Sequence, residues 1–496
     1  MPSENPQHEV VVIGGGFSGI GAAILLDKAG FSDYLVLEEG DGVGGAWHWN
    51  TYPGVAVDIP SFSYQFSFEK LSTWSRVYAP GTELKEYAEH CVRKYGLADR
   101  IRLSSAVVDT SYDDATALWT VTTVNGERIT TRFVVNATGV LTKPKPPAIP
   151  GLDTFTGETV HTARWDHDLD LRGKRVGVIG TGASAVQLIP AIADEVEHLT
   201  VFQRTAIWCL PKPDSAISGA ARTVLARVPG AKALTRLASQ TYVELTFPLA
   251  AHFHNPLHLA TSGEKLARKA LKEQVKDPVV REKLTPRYAV GCKRPSFHNS
   301  YLSTFNRDDV YLETDPIESI TPTGIRTSSG TEHAIDVLVL ATGFKVFERD
   351  NMPGFPCESR GTDLGDWWVK NRAQAYEGVS VPGFPNMFSI LGPYGYNGSS
   401  YFNLIETQMA HITRLLGEAR KRGARAVEVK QDANDRYFAS MLARRPRQVF
   451  TEESCALSNS YYFDENGDTP FRASTTIETM WRAGHFPLDD YEFASA

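Results

Sequence analysis

Two short apolar runs, far apart in the chain, each lead into a glycine-rich loop and then into a helical pattern. The runs are residues 9–13 and 174–179, and their β-branched residues are typical of strands buried in a parallel sheet. The loops are GGGFSG at 14–19 and GTGASA at 180–185, followed by the helical patterns IGAAILLDKAG and AVQLIPAIADEV. This order predicts an α/β protein with two dinucleotide-binding, Rossmann-like domains.

The first loop carries the residues that a dinucleotide pyrophosphate requires. Gly14 permits a tight turn, Gly16 lets the backbone approach the pyrophosphate, and Gly19 lets the helix pack on the strand. The following strand, YLVLEE, places Glu38 19 residues after Gly19. A carboxylate at that distance accepts hydrogen bonds from ribose hydroxyls. The first unit is therefore predicted to bind a dinucleotide.

The second loop predicts a different dinucleotide. It comprises Gly180, Thr181, Gly182, Ala183, Ser184 and Ala185, and Gln187 lies on the helix that follows. The next strand, HLTVFQRT, ends in Arg204 and Thr205, where an NAD enzyme would carry an acid. Because a guanidinium can bind a 2′-phosphate, the sequence favours NADPH over NADH.

The remaining pattern extends both units. Residues 101–135 alternate in polarity and predict a β-meander that runs into the sequence ATG at 137–139. A second strand-ATG sequence ends at 343. Residues 211–289 are mostly helical in pattern and interrupt the second unit.

Two longer motifs lie beside the loops. Residues 155–166, FTGETVHTARWD, fit F-x-G-x-x-x-H-x-x-x-W-[P/D], and residues 44–58 fit [A/G]GxWxxxx[F/Y]P[G/M]xxxD. Both motifs resemble those of the type I Baeyer–Villiger monooxygenases. The resemblance implies an enzyme that uses FAD and NADPH to insert one atom of O2 beside a ketone carbonyl, through a flavin peroxide, and so forms an ester or a lactone.

The same resemblance assigns residues to each cofactor. The implied FAD contacts are Ser18, Glu38, Gly45, Ala46, Trp47, His48, Trp49, Asp58, Tyr64 and, more weakly, Val107. Lys293 would bind the 2′-phosphate, and Arg294 would stabilise the negative charges of the reaction, oriented by Asp58. His161 would have a conformational role. Many members carry Ser-Trp-Tyr near the C-terminus, where this chain has Ser460-Tyr461-Tyr462, so Tyr461 would stand in place of a tryptophan that contacts the nicotinamide cofactor.

The resemblance also implies a division of the chain into five segments. Residues 1–143 and 381–496 would form the two parts of the FAD domain. Residues 144–209 would contain the connection and the first part of the NADP domain, and residues 291–380 its second part. Residues 210–290 would be a helical insertion that lines the path of the substrate.

Composition excludes several other classes of protein. A net charge of −7 and a pI near 6.0 argue against nucleic acid as a partner. No signal peptide is evident and no apolar run reaches about 18 residues, so we expect a cytoplasmic protein without membrane contact. The cysteines Cys91, Cys209, Cys292, Cys357 and Cys455 form neither a CxxC pair nor a metal-ligand spacing. They are predicted to be free thiols, and no metal site is predicted.

Two other functions remain open at this point, and a third is excluded. A flavin monooxygenase that oxygenates the sulfur of a thioether or the nitrogen of an amine would use the same two loops, although its connecting motif lacks the terminal W-[P/D]. A non-catalytic redox sensor that binds FAD and NADPH would also retain both loops. A disulfide reductase would need a cysteine pair beside the flavin, where this chain has Trp47 and Trp49. The oligomeric state is left open.

Overall fold

The computed structural model describes residues 5–257 and 259–495. The first part of the chain forms a parallel unit that continues into an antiparallel meander. Its elements are β1 (His8–Ile13), α1 (Phe17–Lys28), β2 (Tyr34–Leu37), α2 (Ala46–Trp49), α3 (Gly81–Lys94), β3 (Ile101–Arg102), β4 (Val107–Asp113), β5 (Leu118–Thr123) and β6 (Arg128–Asn136). The strand β1 lies between β2 and β6 and is parallel to both. The predicted meander is confirmed from Val107 on, because β5 pairs antiparallel with β4 and with β6, whereas β3, at the start of the predicted range, pairs in parallel with β2.

The second glycine loop belongs to a second, fully parallel sheet. The chain enters it through β7 (Glu158–His161), β8 (Arg175–Ile179), α4 (Ala183–Ile192) and β9 (His198–Phe202). From the sequence, residues 155–166 are predicted to be a connection between the two nucleotide sites. The structure instead places β7 within the sheet, parallel to the strand at Val337–Leu340. The motif is therefore part of the second domain and not a free linker.

The helical insertion begins and ends at one short pair of strands. Its elements are β10 (Cys209–Leu210), α5 (Gly219–Arg227), α6 (Ala231–Thr246), α7 (Pro248–His252), α8 (His254–Leu257), α9 (Leu259–Gln274), α10 (Pro278–Lys283) and β11 (Ser296–Phe297). Because β10 pairs in parallel with β11, both ends of the insertion lie side by side. This pairing fixes the position of the segment just before β11, which contains Lys293 and Arg294.

The chain then completes the second sheet. The elements are α11 (Tyr301–Thr304), β12 (Val310–Glu313), β13 (Ile317–Thr321), β14 (Gly324–Thr327), β15 (Glu332–Ala334) and β16 (Val337–Leu340). The order of the sheet is β12-β9-β8-β16-β7, and β13, β14 and β15 form a separate antiparallel sheet. The second sheet therefore has the parallel, crossover-connected strands that a Rossmann-like domain requires.

The C-terminal part returns to the first domain. Its elements are β17 (Cys357–Ser359), β18 (Thr362–Asp363), α12 (Leu364–Asn371), β19 (Met387–Ser389), α13 (Tyr401–Arg422), β20 (Ala426–Val429), α14 (Gln431–Arg444), α15 (Thr476–His485) and β21 (Tyr491–Ala494). The first sheet has the order β18-β17-β4-β5-β6-β1-β2-β3, with β19 also on β6. The return therefore starts before residue 381, the boundary that the sequence predicts, because β17 already pairs with β4.

The prediction of five free thiols is wrong for two of the cysteines. Cys292 and Cys455 form a disulfide across a sequence separation of 163 residues. Cys91, Cys209 and Cys357 are free and buried. No spacing rule could have found the pair, because it depends on the C-terminal segment folding back over the second domain. Among the described residues, no group of three or more His, Cys, Asp or Glu side chains is arranged to hold a metal ion.

Within residues 5–257 and 259–495, no helix combines the length and the apolar composition that a membrane crossing needs.

Candidate active site

The first glycine loop has a backbone that only glycine permits. Gly14 has a φ of +110°, and a Cβ at Gly19 would lie 1.8 Å from the carbonyl oxygen of Gly14. Gly16 caps α1, and no side chain bonds to the amides at the start of that helix. Such a helix start, behind a close glycine turn, can donate its backbone N–H groups to a pyrophosphate. The loop therefore fits the first dinucleotide.

Glu38 is fixed against this loop. Its buried carboxylate accepts a hydrogen bond from the backbone amide of Gly15 and another, at 2.8 Å, from that of Gly40. Val107, at the start of β4, is partly exposed. The carboxylate thus lies at the glycine turn, and the ribose contact of Glu38 and the adenine contact of Val107 stay predictions.

The residues of the 44–58 motif contact residues of both domains. The indole Nε1 of Trp47 donates to the hydroxyl of Tyr64 at 3.2 Å. The guanidinium of Arg164, from the 155–166 motif, lies 4.1 Å from the ring centroid of Trp49. Gly45 has a positive φ and precedes α2, which contains Ala46, Trp47, His48 and Trp49. The two motifs that carry the family resemblance therefore touch each other.

Ser18 and His48 contact residues that the sequence did not single out. The Ser18 hydroxyl lies 2.8 Å from the hydroxyl of Tyr401, at the start of α13, and His48 Nε2 lies 2.8 Å from Asp41 Oδ1. No local pattern marks Tyr401, since its partner is 383 residues away.

The second loop presents an open helix start. Gly182 caps α4 without any side-chain hydrogen bond, and a Cβ built on Gly182 meets nothing within 4 Å. The Thr181 hydroxyl donates to the carbonyl oxygen of Thr205 at 2.8 Å, which joins the loop to the end of β9. Ala183 and Ser184 form the first turn of α4, and the fully buried Ala185 packs against the sheet. This open helix start fits the second dinucleotide.

The side chain of Gln187 forms hydrogen bonds that link the two domains. Its Oε1 accepts a hydrogen bond from the Tyr52 hydroxyl at 2.9 Å, and its Nε2 donates to the carbonyl oxygen of Ala56 at 2.9 Å. The same Oε1 accepts a longer hydrogen bond, 3.4 Å, from the backbone amide of Ala56. These bonds link α4 to the 44–58 motif of the first domain. The predicted cofactor contact of Gln187 stays a prediction.

Two cations lie together at the end of β9. Burial, together with the positive charge of Arg204, lowers the pKa of Lys293 to about 8. Neither residue forms an ion pair within the part of the chain that the structure describes. Two unpaired cations of this kind are a suitable site for a 2′-phosphate dianion. The pair is consistent with the predicted preference for NADPH.

We expect the affinity for NADP+ to fall as the pH rises through about 8, where Lys293 loses its proton. The bound phosphate favours the protonated form, so binding becomes weaker as that form disappears. The loss should be roughly tenfold or more, the value for one hydrogen bond to a charged group. Fluorescence titration across this pH range measures it. NAD+ serves as the control, and Lys293→Arg should remove the pH dependence. An equal pH dependence for NAD+ would contradict the assignment of Lys293.

Arg294 and Asp58 form a bidentate ion pair across the two domains. The guanidinium Nε lies 2.6 Å from Asp58 Oδ2, and Nη2 lies 2.8 Å from Oδ1. Burial alone would raise the pKa of Asp58, but the charge and hydrogen bonds of Arg294 outweigh it and hold that pKa below its usual value. Burial likewise lowers the pKa of Arg294, and Asp58 outweighs it. Both groups therefore stay charged.

Aromatic residues surround this pair. The ring of Phe247 lies 6.0 Å from Cζ of Arg294, and the phenol of Tyr462 is buried close enough for the charge of Arg294 to act on its pKa. Tyr396 and Tyr461 interact electrostatically with both members of the pair. The sequence drew attention to Tyr461 alone, by its place in a motif. Phe247, Tyr396 and Tyr462 come from three separate segments, and only the fold brings them together.

His161 is a neutral, structural histidine. Burial and the charge of Arg164 lower its pKa to about 4. Its Nδ1 accepts a hydrogen bond from the backbone amide of Ala163, so Nε2 carries the proton and can donate to the Thr342 hydroxyl at 3.3 Å. This bond joins the 155–166 motif to the second ATG turn. The geometry agrees with a conformational role and not with acid–base chemistry.

Each of the two sheets contains parallel strands that lead into a glycine loop and a helix start without a side-chain cap, and the Arg294–Asp58 pair joins the two units. This arrangement is that of an oxidoreductase with two dinucleotide sites. A model of the family described as pyridine nucleotide-disulphide oxidoreductase matches residues 11–246. A Baeyer–Villiger monooxygenase of Streptomyces coelicolor is 36% identical, covering 99% of this chain and 94% of the relative. A Baeyer–Villiger monooxygenase of Pseudomonas aeruginosa is 37% identical, covering 92% and 85%. A crystal structure of OTEMO in complex with FAD and NADP has a TM-score of 0.88 at 28% identity, with coverage of 99% and 100%.

These likenesses extend over nearly the whole chain, and they agree with both motifs in the sequence. The chain belongs to the Baeyer–Villiger monooxygenases, a family of enzymes that depend on FAD and NADPH.

Proposed function

We propose that this protein converts a ketone, O2, NADPH and a proton into an ester or lactone, water and NADP+. The observation that carries the proposal is the Arg294–Asp58 pair, whose members lie 236 residues apart in the chain. One comes from the segment after the helical insertion and the other from the motif beside the first glycine loop. The fold thus brings a fixed positive charge to the place where the two dinucleotide domains meet.

FAD, reduced by NADPH, supplies the oxygen-activating chemistry when both cofactors are bound. The first glycine loop, the start of α1 and Glu38 would hold FAD. The second loop, the start of α4 and the cations Arg204 and Lys293 would hold NADPH. The covalent chemistry belongs to the cofactor. The side chains of this protein therefore need only to bind and orient the cofactors and the substrate, and to exclude water.

Arg294 is the residue that we assign to charge stabilisation. It has five N–H donors, of which Asp58 engages two, so others remain for a substrate. A ketone carbonyl oxygen gains negative charge when the carbonyl carbon is attacked, and a nearby guanidinium stabilises that charge. Asp58 fixes the plane of the guanidinium and keeps it protonated. The side chain of Arg294 is 23% exposed and that of Asp58 is 26% exposed, so the pair lies in a partly desolvated site. Electrostatic interactions are stronger there than in water.

The aromatic surroundings of Arg294 favour an apolar ketone as the substrate. Phe247 and Phe471 pack with Tyr462, at ring-centroid distances of 6.2 and 4.8 Å, next to the charged pair. A site of this kind combines apolar walls with one polar group that orients the ligand. Thioethers would fit the same walls, so oxygenation of sulfur is the second activity that we include in the proposal.

The test is NADPH consumption by the FAD-loaded protein with linear, cyclic and aryl ketones and with thioethers, followed by mass analysis of the products. We expect ketones to give esters or lactones that contain one additional oxygen atom. Sulfoxides alone would move the assignment to heteroatom oxygenation. Tight FAD binding without any NADPH oxidation, with or without substrate, would show a non-catalytic protein instead.

A further inference from the structure

The disulfide lies next to the proposed catalytic residue. Cys292 immediately precedes Lys293 and Arg294, and Cys455 lies in the segment 449–463, which also contains Tyr461 and Tyr462. We call residues 449–463 the C-terminal cover. The disulfide is therefore a covalent bond between the cover and the short segment that carries Lys293 and Arg294.

Two hydrogen bonds show how the cover lies over the second dinucleotide site. The Ser454 hydroxyl accepts a hydrogen bond from the backbone amide of Ala289 at 3.1 Å. The side-chain amide of Asn459 donates to the Thr205 hydroxyl at 2.7 Å, beside Arg204. The cover thus contacts the chain just after β9, which contains Arg204, and the segment before β11, which contains Lys293. Movement of the cover would therefore break contacts of the two segments that carry these cations.

The two sulfur atoms are buried, but they lie close to the protein surface. Cys292 is fully buried and Cys455 is 4% exposed, but Leu457 on the same short turn is 58% exposed. The cover consists of short turns, Val449–Thr451 and Glu453–Leu457, joined by irregular chain. Such a segment opens locally at less cost than a core element, so a small thiol or peroxide can reach the sulfur atoms without global unfolding.

We propose that Cys292 and Cys455 form a reversible redox site that controls how tightly the C-terminal cover closes over the NADP site. The disulfide holds the cover closed, and its reduction releases the cover and weakens dinucleotide binding. This inference rests on the proposed function in taking the Arg204–Lys293 site as the site for NADP. Disulfides in a reducing compartment are commonly transient and redox-sensing, which fits the cytoplasmic location that the sequence predicts.

The chemistry needs an external oxidant and an external reductant, for which hydrogen peroxide and a dithiol are sufficient. Hydrogen peroxide oxidises the two thiols to the disulfide: one thiolate attacks the peroxide and releases water, and the second thiol displaces a further water from the sulfenic acid. A dithiol reduces the disulfide by exchange, transferring two electrons and two protons, and itself becomes a cyclic disulfide.

The first measurement counts thiols. The protein is denatured without reductant, alkylated and analysed by mass spectrometry, after treatment with either hydrogen peroxide or dithiothreitol. We expect three alkylated cysteines and a cross-linked Cys292–Cys455 peptide in the oxidised sample, and five alkylated cysteines in the reduced one. Five alkylated cysteines after peroxide treatment would overturn the proposal.

The second measurement is the Kd for NADP+ of the FAD-loaded wild-type protein in each redox state. We expect at least about fivefold weaker binding after reduction, the lower end of ordinary coupling between sites. Cys455→Ser should resemble the reduced protein under both treatments. Cys209→Ala, which removes a free buried cysteine of the same domain, should retain the full redox response. Equal Kd values in the two wild-type states would overturn the proposal even if the variants fail to fold.

The proposed function can fail separately. If no ester is formed in either redox state while the Kd for NADP+ still depends on the disulfide, the redox site stands and the monooxygenase assignment falls. If esters are formed and the Kd does not change, the redox site falls alone.

Discussion

Replacement of Arg294 with alanine is expected to lower kcat for ester formation by about 10²–10³-fold, the loss measured when one donor of an oxyanion site is removed. The physical reason is that the variant leaves the developing negative charge without a cation in a partly desolvated site. FAD should remain bound, because within the described residues the side-chain hydrogen bonds of Arg294 go to Asp58 and not to the first glycine loop, Glu38 or α1.

Two further variants make this result specific. Arg294→Lys keeps the charge but loses the planar, bidentate contact with Asp58, so we expect activity between those of the wild type and the alanine variant. Arg287→Ala removes an arginine from the same stretch whose side chain is 78% exposed, and it should leave kcat unchanged. The measurements are the flavin absorbance of the purified proteins and the rate of product formation. Wild-type kcat in Arg294→Ala would remove Arg294 from the mechanism.

The second large effect is expected for Gly19→Ala. The new Cβ would lie 1.8 Å from the carbonyl oxygen of Gly14, so α1 could not keep its position at the end of β1. Overpacking of a dense interior costs about 1–3 kcal/mol and sometimes more, and here the neighbour is backbone that cannot rotate away. We expect a free energy of unfolding lower by at least about 3 kcal/mol and a protein purified without FAD.

Gly182→Ala is the matched control in the second loop. A Cβ at Gly182 meets no atom within 4 Å, so thermal unfolding and flavin content should match those of the wild type. The methyl group would nevertheless occupy the open space before α4, and the Kd for NADP+ should rise. Equal destabilisation by the two substitutions would contradict the steric argument, and unchanged NADP+ binding in Gly182→Ala would contradict the placement of the second dinucleotide.

Local patterns predicted the parts of the fold that depend on neighbouring residues. The runs before Gly14 and Gly180, the helices after them and the meander all follow from residues within one element or one turn. The strand-loop-helix-strand order singled out Glu38, which lies against the glycine turn, and its contact with a ribose stays a prediction. The family resemblance brought Asp58 and Arg294 together, which no spacing rule could do.

The rest depends on contacts between distant segments. The Cys292–Cys455 disulfide and the Ser18–Tyr401 hydrogen bond each join residues from separate parts of the chain. The early return of the chain to the first sheet was missed because β17 contains only Cys357, Glu358 and Ser359, too few residues to show an alternating pattern. Such features become visible only when the sheets are assembled.

The hydrogen bonds of Gln187 have a mechanical consequence. One amide group holds Tyr52 and Ala56 of the opposite domain, at a position only 8% exposed to water. A small rotation of either domain lengthens all of these bonds together, and little water is present to replace them. Two angles between the domains are therefore favourable: the one in which these hydrogen bonds are formed, and one open enough for water to hydrate the amide. Angles between these two are unfavourable. The domains should move between two discrete positions and not over a continuous range of angles.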